Sequence, residues 1–188
     1  PGHFLKVSRG KMAIEQYYTI PYNRERAEKN NLPYEHAKER LKELMEESVQ
    51  KRLVADVSLG CFLSGGIDST VITALASRHK RDLHTFSIGF SDEKFFDETE
   101  YAKLAAGHLR TGHTVFSLTN ADLYRHVHSI LDSIDEPFAD SSAINVYILS
   151  KETRKYATVA LSGDGADELL GGYNKHAGFF AERVQVIR

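Results

Sequence analysis

Residues 59–69, Leu-Gly-Cys-Phe-Leu-Ser-Gly-Gly-Ile-Asp-Ser, restrict the possible folds more than any other stretch of the chain. A short apolar run ends at Leu63, two glycines follow, and an amphipathic stretch begins at Asp68. That order is a buried strand, a tight turn and a helix start. Gly65 and Gly66 tolerate positive φ and allow a ligand close to the backbone. Asp68 and Ser69 fall at the helix N-terminus, where unpaired N–H groups and the positive dipole end attract anions. The phosphate portion of a nucleotide is the simplest ligand for Ser64–Ser69. The alternative is an ordinary strand-to-helix turn with packing glycines.

The same unit repeats along the chain. Strand Leu59–Leu63 precedes helix Asp68–His79, with Val71, Ile72 and Leu75 inward. Strand Leu83–Phe90 precedes a helix capped at Asp97, with Glu100 completing a capping box and Tyr101, Leu104 and Ala105 forming the inner face. Strand His113–Leu118 precedes a helix opened by Thr119, where Leu123, Val127, Ile130, Leu131 and Ile134 keep the helical period. A loop, Asp135–Ser142, leads to helix Ala143–Tyr156, strand Thr158–Leu161 and a last helix running to Arg188. Strands alternating with helices predict an α/β fold: one parallel sheet with helices on both faces. Ahead of it, residues 4–20 read as a β-hairpin turning at Ser8-Arg9-Gly10-Lys11, and residues 21–32 as a polar linker. Pro33 opens a helix with Leu41, Leu44, Met45 and Val49 at helical spacing and a Glu47–Lys51 pair.

Composition narrows the class. The chain of 188 residues suffices for one domain with a real core. Twenty-four basic residues against 26 acidic ones leave no electrostatic footprint for nucleic acid. No apolar run reaches the length of a membrane span, so no membrane partner is expected. The single Cys61 offers no disulfide framework and suits a reducing cytoplasm, the expected location. It reads as a small buried hydrophobe, with a nucleophile as the alternative. No signal peptide opens the chain, which starts at Pro1 without Met and is expected to be an excised piece.

In open α/β sheets, ligands bind outside the carboxyl ends of the strands, and three strand ends carry chemistry. The first is Ser64–Ser69. The second is Ser87-Ile88-Gly89, where the glycine either lets an adenine ring lie against the backbone or is a bulge or packing glycine. The third, Ser162-Gly-Asp-Gly-Ala-Asp-Glu168, puts three carboxylates and two glycines in seven residues. It is either a solvated acidic turn or one side of a phosphate site bridged by a cation. Mg²⁺ suits the second reading, since it takes a few carboxylates together with phosphate oxygens. Asp68 and Asp167, each near a helix start, form the candidate metal pair, which leaves Asp164 to face an acceptor or a nucleophile.

Neither a Walker loop nor a G-x-G-x-x-G turn is present. Ser-Gly-Gly-Ile-Asp-Ser resembles instead the pyrophosphate loop of the ATP pyrophosphatase superfamily, of adenine nucleotide alpha hydrolase-like fold. Together with Ser162-Gly-Asp-Gly-Ala-Asp-Glu-Leu-Leu-Gly-Gly-Tyr173, it resembles the synthetase domain of glutamine-dependent asparagine synthetases. Asp135-Glu-Pro-Phe-Ala-Asp-Ser-Ser142 is similar to a segment of their bacterial members. The resemblance implies that an aspartate carboxylate attacks the α-phosphate of MgATP to give β-aspartyl-AMP, which ammonia from glutamine then converts to asparagine. It implies ATP and Mg²⁺ as cofactors. Ser64, Gly65, Gly66, Asp68 and Ser69 would hold pyrophosphate, and Leu63, Ile88, Ser162 and Gly163 would lie at the nucleotide. Asp68 and Asp167 would bind magnesium, and Asp164 stands where many members have glutamate. The hairpin resembles the end of their glutaminase domain, whose N-terminal cysteine has no counterpart here. The ATP-dependent part would then occupy residues 33–188. The piece is expected to bind MgATP without forming AMP, and a homodimer is an allowed assembly. Competing readings are an adenylating amidotransferase with another acceptor, a nucleotide-binding module, and a sulfurtransferase acting on tRNA.

Overall fold

In the computed structural model, which describes residues 2–136 and 139–179, the chain divides into two units between Lys42 and Glu43. The first unit holds the hairpin of β1 (His3–Ser8) and β2 (Lys11–Gln16). Arg9 and Gly10 take φ of 50° and 74°, the twin left-handed residues of a two-residue turn whose twist matches its strands. The register sets Leu5 opposite Ile14 and Val7 opposite Met12, so one hairpin face is apolar. The return strand stops at Gln16 rather than Ile20, because the amides of Tyr17 and Tyr18 both donate to the Gly2 carbonyl. Residues 21–32 contain a short helix, α1 (Arg24–Glu28), where the sequence suggests only linker. Asn23 caps it, its Oδ1 accepting from the Arg26 amide at 2.8 Å. Helix α2 (Tyr34–Arg52) follows Pro33 and crosses the division.

The second unit is a four-stranded parallel sheet in the order β5-β4-β3-β6, made of β3 (Leu59–Phe62), β4 (His84–Phe90), β5 (Gly112–Leu118) and β6 (Val159–Leu161). The helices between them are α3 (Ile67–His79), α4 (Thr99–Leu109), α5 (Asn120–Leu131) and α6 (Ser142–Thr153), with α7 (Ala166–Leu170) after β6. Alternation along β3 and β4 sorts the core into two faces. Leu59 and Cys61 pack with Leu75 and Ala76 of α3 and Val49 of α2, and Leu63 packs with Ala102 and Ala106 of α4. On the other face the Phe86 ring meets Phe116 and Tyr156, just past α6. Both faces are therefore covered, as the alternation predicts. The chain steps from β3 to β4 to β5 in one direction, and β6 then lands on the far side of β3. The strand order reverses between β3 and β6, the place where open α/β sheets leave a crevice.

Three local expectations fail. Helix α4 buries Ala102 and Ala106 and exposes Tyr101 at 68% and Leu104 at 73%. The reason is close approach: a Cβ built at Gly65, whose φ is 87°, would sit 2.6 Å from the Ala102 amide nitrogen. Backbone that near a helix leaves room only for small side chains. The capping box at Asp97 and Glu100 is also absent. Asp97 Oδ1 accepts from the Thr99 amide at 3.0 Å, and Glu100 pairs with Lys103 at 2.7 Å. The box lies instead at Thr119 and Asp122, at the start of α5. Finally, the helix after β6 is not continuous. It ends at Gly171, with φ of 73°, and residues 174–179 start another helix. Its expected course from 180 to Arg188 lies outside the described residues.

Candidate functional site

The carboxyl ends of β3, β4 and β6 open into a cleft of about 560 Å³. Its wall includes Leu63, Ser64, Asp68, Ser69, Ile88, Ser162, Gly163, Asp164 and Asp167. Of the candidate residues, only Gly65 and Gly66 are outside the wall. Gly65 packs its bare Cα against α4, and Gly66 is the N-cap of α3.

The first loop is held by its own hydroxyls. Ser64 Oγ lies 2.9 Å from Ser69 Oγ and accepts from the Gly66 amide at 3.2 Å. The Ser64 amide donates to Ser69 Oγ at 3.2 Å. The peptide before it is fixed from the other side, because Ser87 Oγ donates to the Leu63 carbonyl. These bonds fold Ser64–Ser69 into a compact turn over the start of α3, where amide dipoles favour an anion.

The second loop meets the first directly. A Cβ built at Gly163 would fall 2.7 Å from the Ser69 amide nitrogen and 3.0 Å from Asp68 Cβ. Only glycine permits this approach, which brings the two sequence motifs, almost a hundred residues apart, into contact. Ser162 Oγ donates to Asp164 Oδ2 at 2.9 Å, orienting that carboxylate. Gly172 has the matching role at Asp167: a Cβ there would lie 1.9 Å from Asp167 Oδ1. The glycine pair at 171–172 thus ends α7 and leaves space for the Asp167 carboxylate.

Six carboxylates line the cleft, those of Asp68, Glu98, Asp140, Asp164, Asp167 and Glu168, and among the described lining residues there is no lysine or arginine. Tyr173 donates to Glu168 Oε1 at 2.7 Å. That bond holds the Glu168 carboxyl below its usual range and pushes the Tyr173 phenol up to about 12. Lys175 lies over the Tyr173 ring, with Nζ 4.4 Å from its centroid. The Asp140 carboxyl is lowered by the Ser142 amide, which donates to it at 2.9 Å. Among the described residues no three His, Cys, Asp or Glu side chains gather as a closed metal cage. Asp68 and Asp167 both lie in the cleft wall, and a pair of carboxylates is a donor set that suits Mg²⁺, which completes its shell with phosphate oxygens and water.

Gly89 settles between its two readings. A Cβ there would meet Thr99 Cγ2 at 2.7 Å, so it is a packing glycine under α4 and not part of the cleft. Glu98, Asp140 and Tyr173 are wall residues that spacing did not single out. Asp140 and Tyr173 lie within stretches already noted for their resemblance, but nothing local marks Glu98, which arrives at the wall only because α4 starts beside β4. Phe62, Phe86 and Phe90 form an apolar side of the cleft. Their even numbering on adjacent in-register strands was the available signal.

The asparagine synthase family profile matches residues 40–184. A protein of Mycobacterium bovis, provisionally named a glutamine-hydrolysing asparagine synthetase, is 42% identical over 130 residues, covering 69% of this chain and 20% of its own. Glutamine-hydrolysing asparagine synthetase 1 of Bacillus subtilis is 35% identical over 165 residues, covering 88% of this chain and 25% of its own. Among solved structures, the NH3-dependent NAD synthetase of Campylobacter jejuni superposes with a TM-score of 0.48 at 17% identity, over 72% of this chain and 60% of that one. The chain spans a fifth to a quarter of the length of these two curated relatives. With more than half of its residues inside the family profile, the chain belongs to the asparagine synthase family.

Proposed function

We propose that this chain supplies the MgATP site of a glutamine-dependent asparagine synthetase. The observation that carries this reading is the seating of Gly163 on the first turn of α3, which joins a hydroxyl-rich anion loop to an acidic loop in one cleft. Ser64, Gly65, Gly66 and Ser69 offer amides and hydroxyls to the pyrophosphate. Leu63, Ile88, Ser162 and Gly163 border the nucleoside. Asp68 and Asp167 hold Mg²⁺, which screens phosphate charge from the surrounding carboxylates.

In the first step the side-chain carboxylate of aspartate forms a bond to the α-phosphorus, the α–β phosphoanhydride breaks, and pyrophosphate leaves. In the second, ammonia from glutamine adds to the acyl carbon, AMP leaves with the acyl–oxygen electron pair, and nitrogen loses a proton. Fixed dipoles at the loop and helix start stabilise charge on the leaving pyrophosphate. Asp164, oriented by Ser162, faces the acceptor or the incoming nucleophile. Family kinship adds a glutaminase domain acting in cis, and a homodimer and a cytoplasmic location belong to the same proposal. No helix among the described residues is long and apolar enough to cross a membrane.

Titration of the chain with MgATP, alongside ATP–pyrophosphate exchange by the full-length protein with candidate acids, tests the reading. Asp68→Asn and Asp167→Asn should each weaken Mg²⁺-dependent binding by about tenfold or more, the scale of one lost charged contact. Wild-type affinity in both variants would remove the metal assignment. Exchange supported by another amino-acid carboxylate but not by aspartate would replace the acceptor and leave the nucleotide site standing.

A further inference from the structure

Where the ladder between β3 and β4 ends, its last Leu63 bond is backbone to backbone, from the Leu63 amide to the Phe86 carbonyl at 2.9 Å. The Leu63 carbonyl is then taken by a side chain, Ser87 Oγ. Ser87 is 3% exposed and lies in the cleft wall. Behind it stands His113 on β5, its Nε2 3.5 Å from Ser87 Oγ. The other ring nitrogen, Nδ1, lies 2.8 Å from Thr85 Oγ1, and that hydroxyl donates to the Gly112 carbonyl at 2.9 Å. Thr85 can then only accept from His113, so Nδ1 carries the proton. His84 on β4 and Lys103 on α4 are the charged or titratable groups that act on the ring. Burial is the leading cause holding its pKa below the usual histidine range, and neither neighbour is an acid.

We infer that Ser87, backed by His113, is a positioning residue that fixes the Leu63–Ser64 peptide and so aims the anion loop into the cleft. The carbonyl side of this peptide is held by Ser87 and its amide side by Ser69. Loss of either bond frees the peptide to rotate, which swings the Ser64 N–H and hydroxyl away from α3. Neutral His113 presents a bare Nε2 to Ser87. The serine proton therefore has two acceptors, the Leu63 carbonyl and the ring, and protonation of the ring removes the second. The loop should accordingly be held more firmly as pH falls through the lowered His113 pKa.

The link to nucleotide rests on the proposed MgATP site, whereas the link to loop geometry does not, and two readouts separate them. Amide hydrogen exchange on the ligand-free chain tests the positioning role alone. Ser87→Ala should lower protection of the Ser64–Gly66 amides by roughly tenfold, the scale of one buried hydrogen bond, with strand amides unchanged. Ser87→Cys keeps the volume but is a weak donor. It should behave as Ala does, whereas a purely packing role predicts wild-type protection. His113→Asn should abolish any pH dependence of loop protection. Wild-type protection of the loop in Ser87→Ala, or rescue by Cys, overturns the inference. Titration with MgATP and with inorganic pyrophosphate then reads the consequence, both binding about tenfold more weakly in the serine variants. If wild-type chain binds neither, the nucleotide reading falls while hydrogen exchange still decides the role of Ser87.

Discussion

Gly163 is the residue on which the site depends most directly. It brings the loop after β6 against the Ser69 amide nitrogen, backbone to backbone, and nothing flexible lies in the way to yield. Gly163→Ala should therefore separate the two loops, lowering stability by about 1–3 kcal/mol as an overpacked contact does. MgATP affinity should fall by more than the stability loss explains. Thermal unfolding and nucleotide titration of the same variant check both parts, and unchanged affinity would separate the motif contact from binding. Tyr173 gives a second test. Its hydroxyl bond to Glu168 is the main cause of the lowered carboxyl pKa, with Lys175 and His176 weaker contributors. Because the folded pKa is depressed, the stabilising contribution is present above the ordinary glutamate value of about 4.3. It fades as pH falls through the lowered folded value. Tyr173→Phe should move the Glu168 midpoint back up toward the ordinary value, as carboxyl-carbon NMR titration would show. A midpoint that stays low would assign the shift to the Glu168 backbone amide and the basic neighbours.

At the scale of elements, helix boundaries separate what spacing can and cannot reveal. Thr119 opens α5 with a complete capping box: its hydroxyl accepts from the Asp122 amide at 3.2 Å, and Asp122 Oδ2 accepts from the Thr119 amide at 3.0 Å. Both partners are three residues apart, yet the sequence marks Thr119 only as the helix start, because the usual box carries Glu or Gln rather than Asp at its third helical position. Thr119→Ala should cost about 1 kcal/mol, seen as a drop in melting temperature of about 2–4 °C for a domain of this size. No drop would mean that packing of Ile130 and its neighbours alone holds the helix. Helix α4 is the contrary case. Two stripes share its helical period, Tyr101 with Leu104 and Ala105, and Ala102 with Ala106. Hydrophobicity prefers the larger one, yet Ala102 and Ala106 are buried with Ala105 packed against them, while Tyr101 and Leu104 stay exposed. The decision belongs to Gly65, whose loop presses on the helix, a contact between segments more than thirty residues apart.

The whole second unit is built around β3, and Cys61 sits at its centre with no exposed surface. Burial pushes the Cys61 thiol up to about 11, only partly offset by the nearby Thr73 hydroxyl. Thiolate is the reactive form, so this thiol should resist a disulfide reagent in the folded chain and react at the rate of global opening. Reactivity that rises with denaturant in step with loss of circular dichroism would bear this out. Fast reaction in native buffer would contradict it. Alternating apolar strands, helical spacing and the chemistry of residues 64–69 and 162–168 determined by themselves the α/β class, the parallel sheet and two of the loops that line the cleft. They suffice because period, turn residues and carboxylate clusters are local properties written within a dozen positions. Tertiary structure alone decided which stripe of α4 turns inward and that Gly89 packs under Thr99. It alone added Glu98 to the cleft, broke the last helix at Gly171, and set Ser87 and His113 behind the anion loop. Each of these depends on how closely two distant backbones approach, and that distance is set by the assembled sheet and its helices rather than by any one stretch of chain.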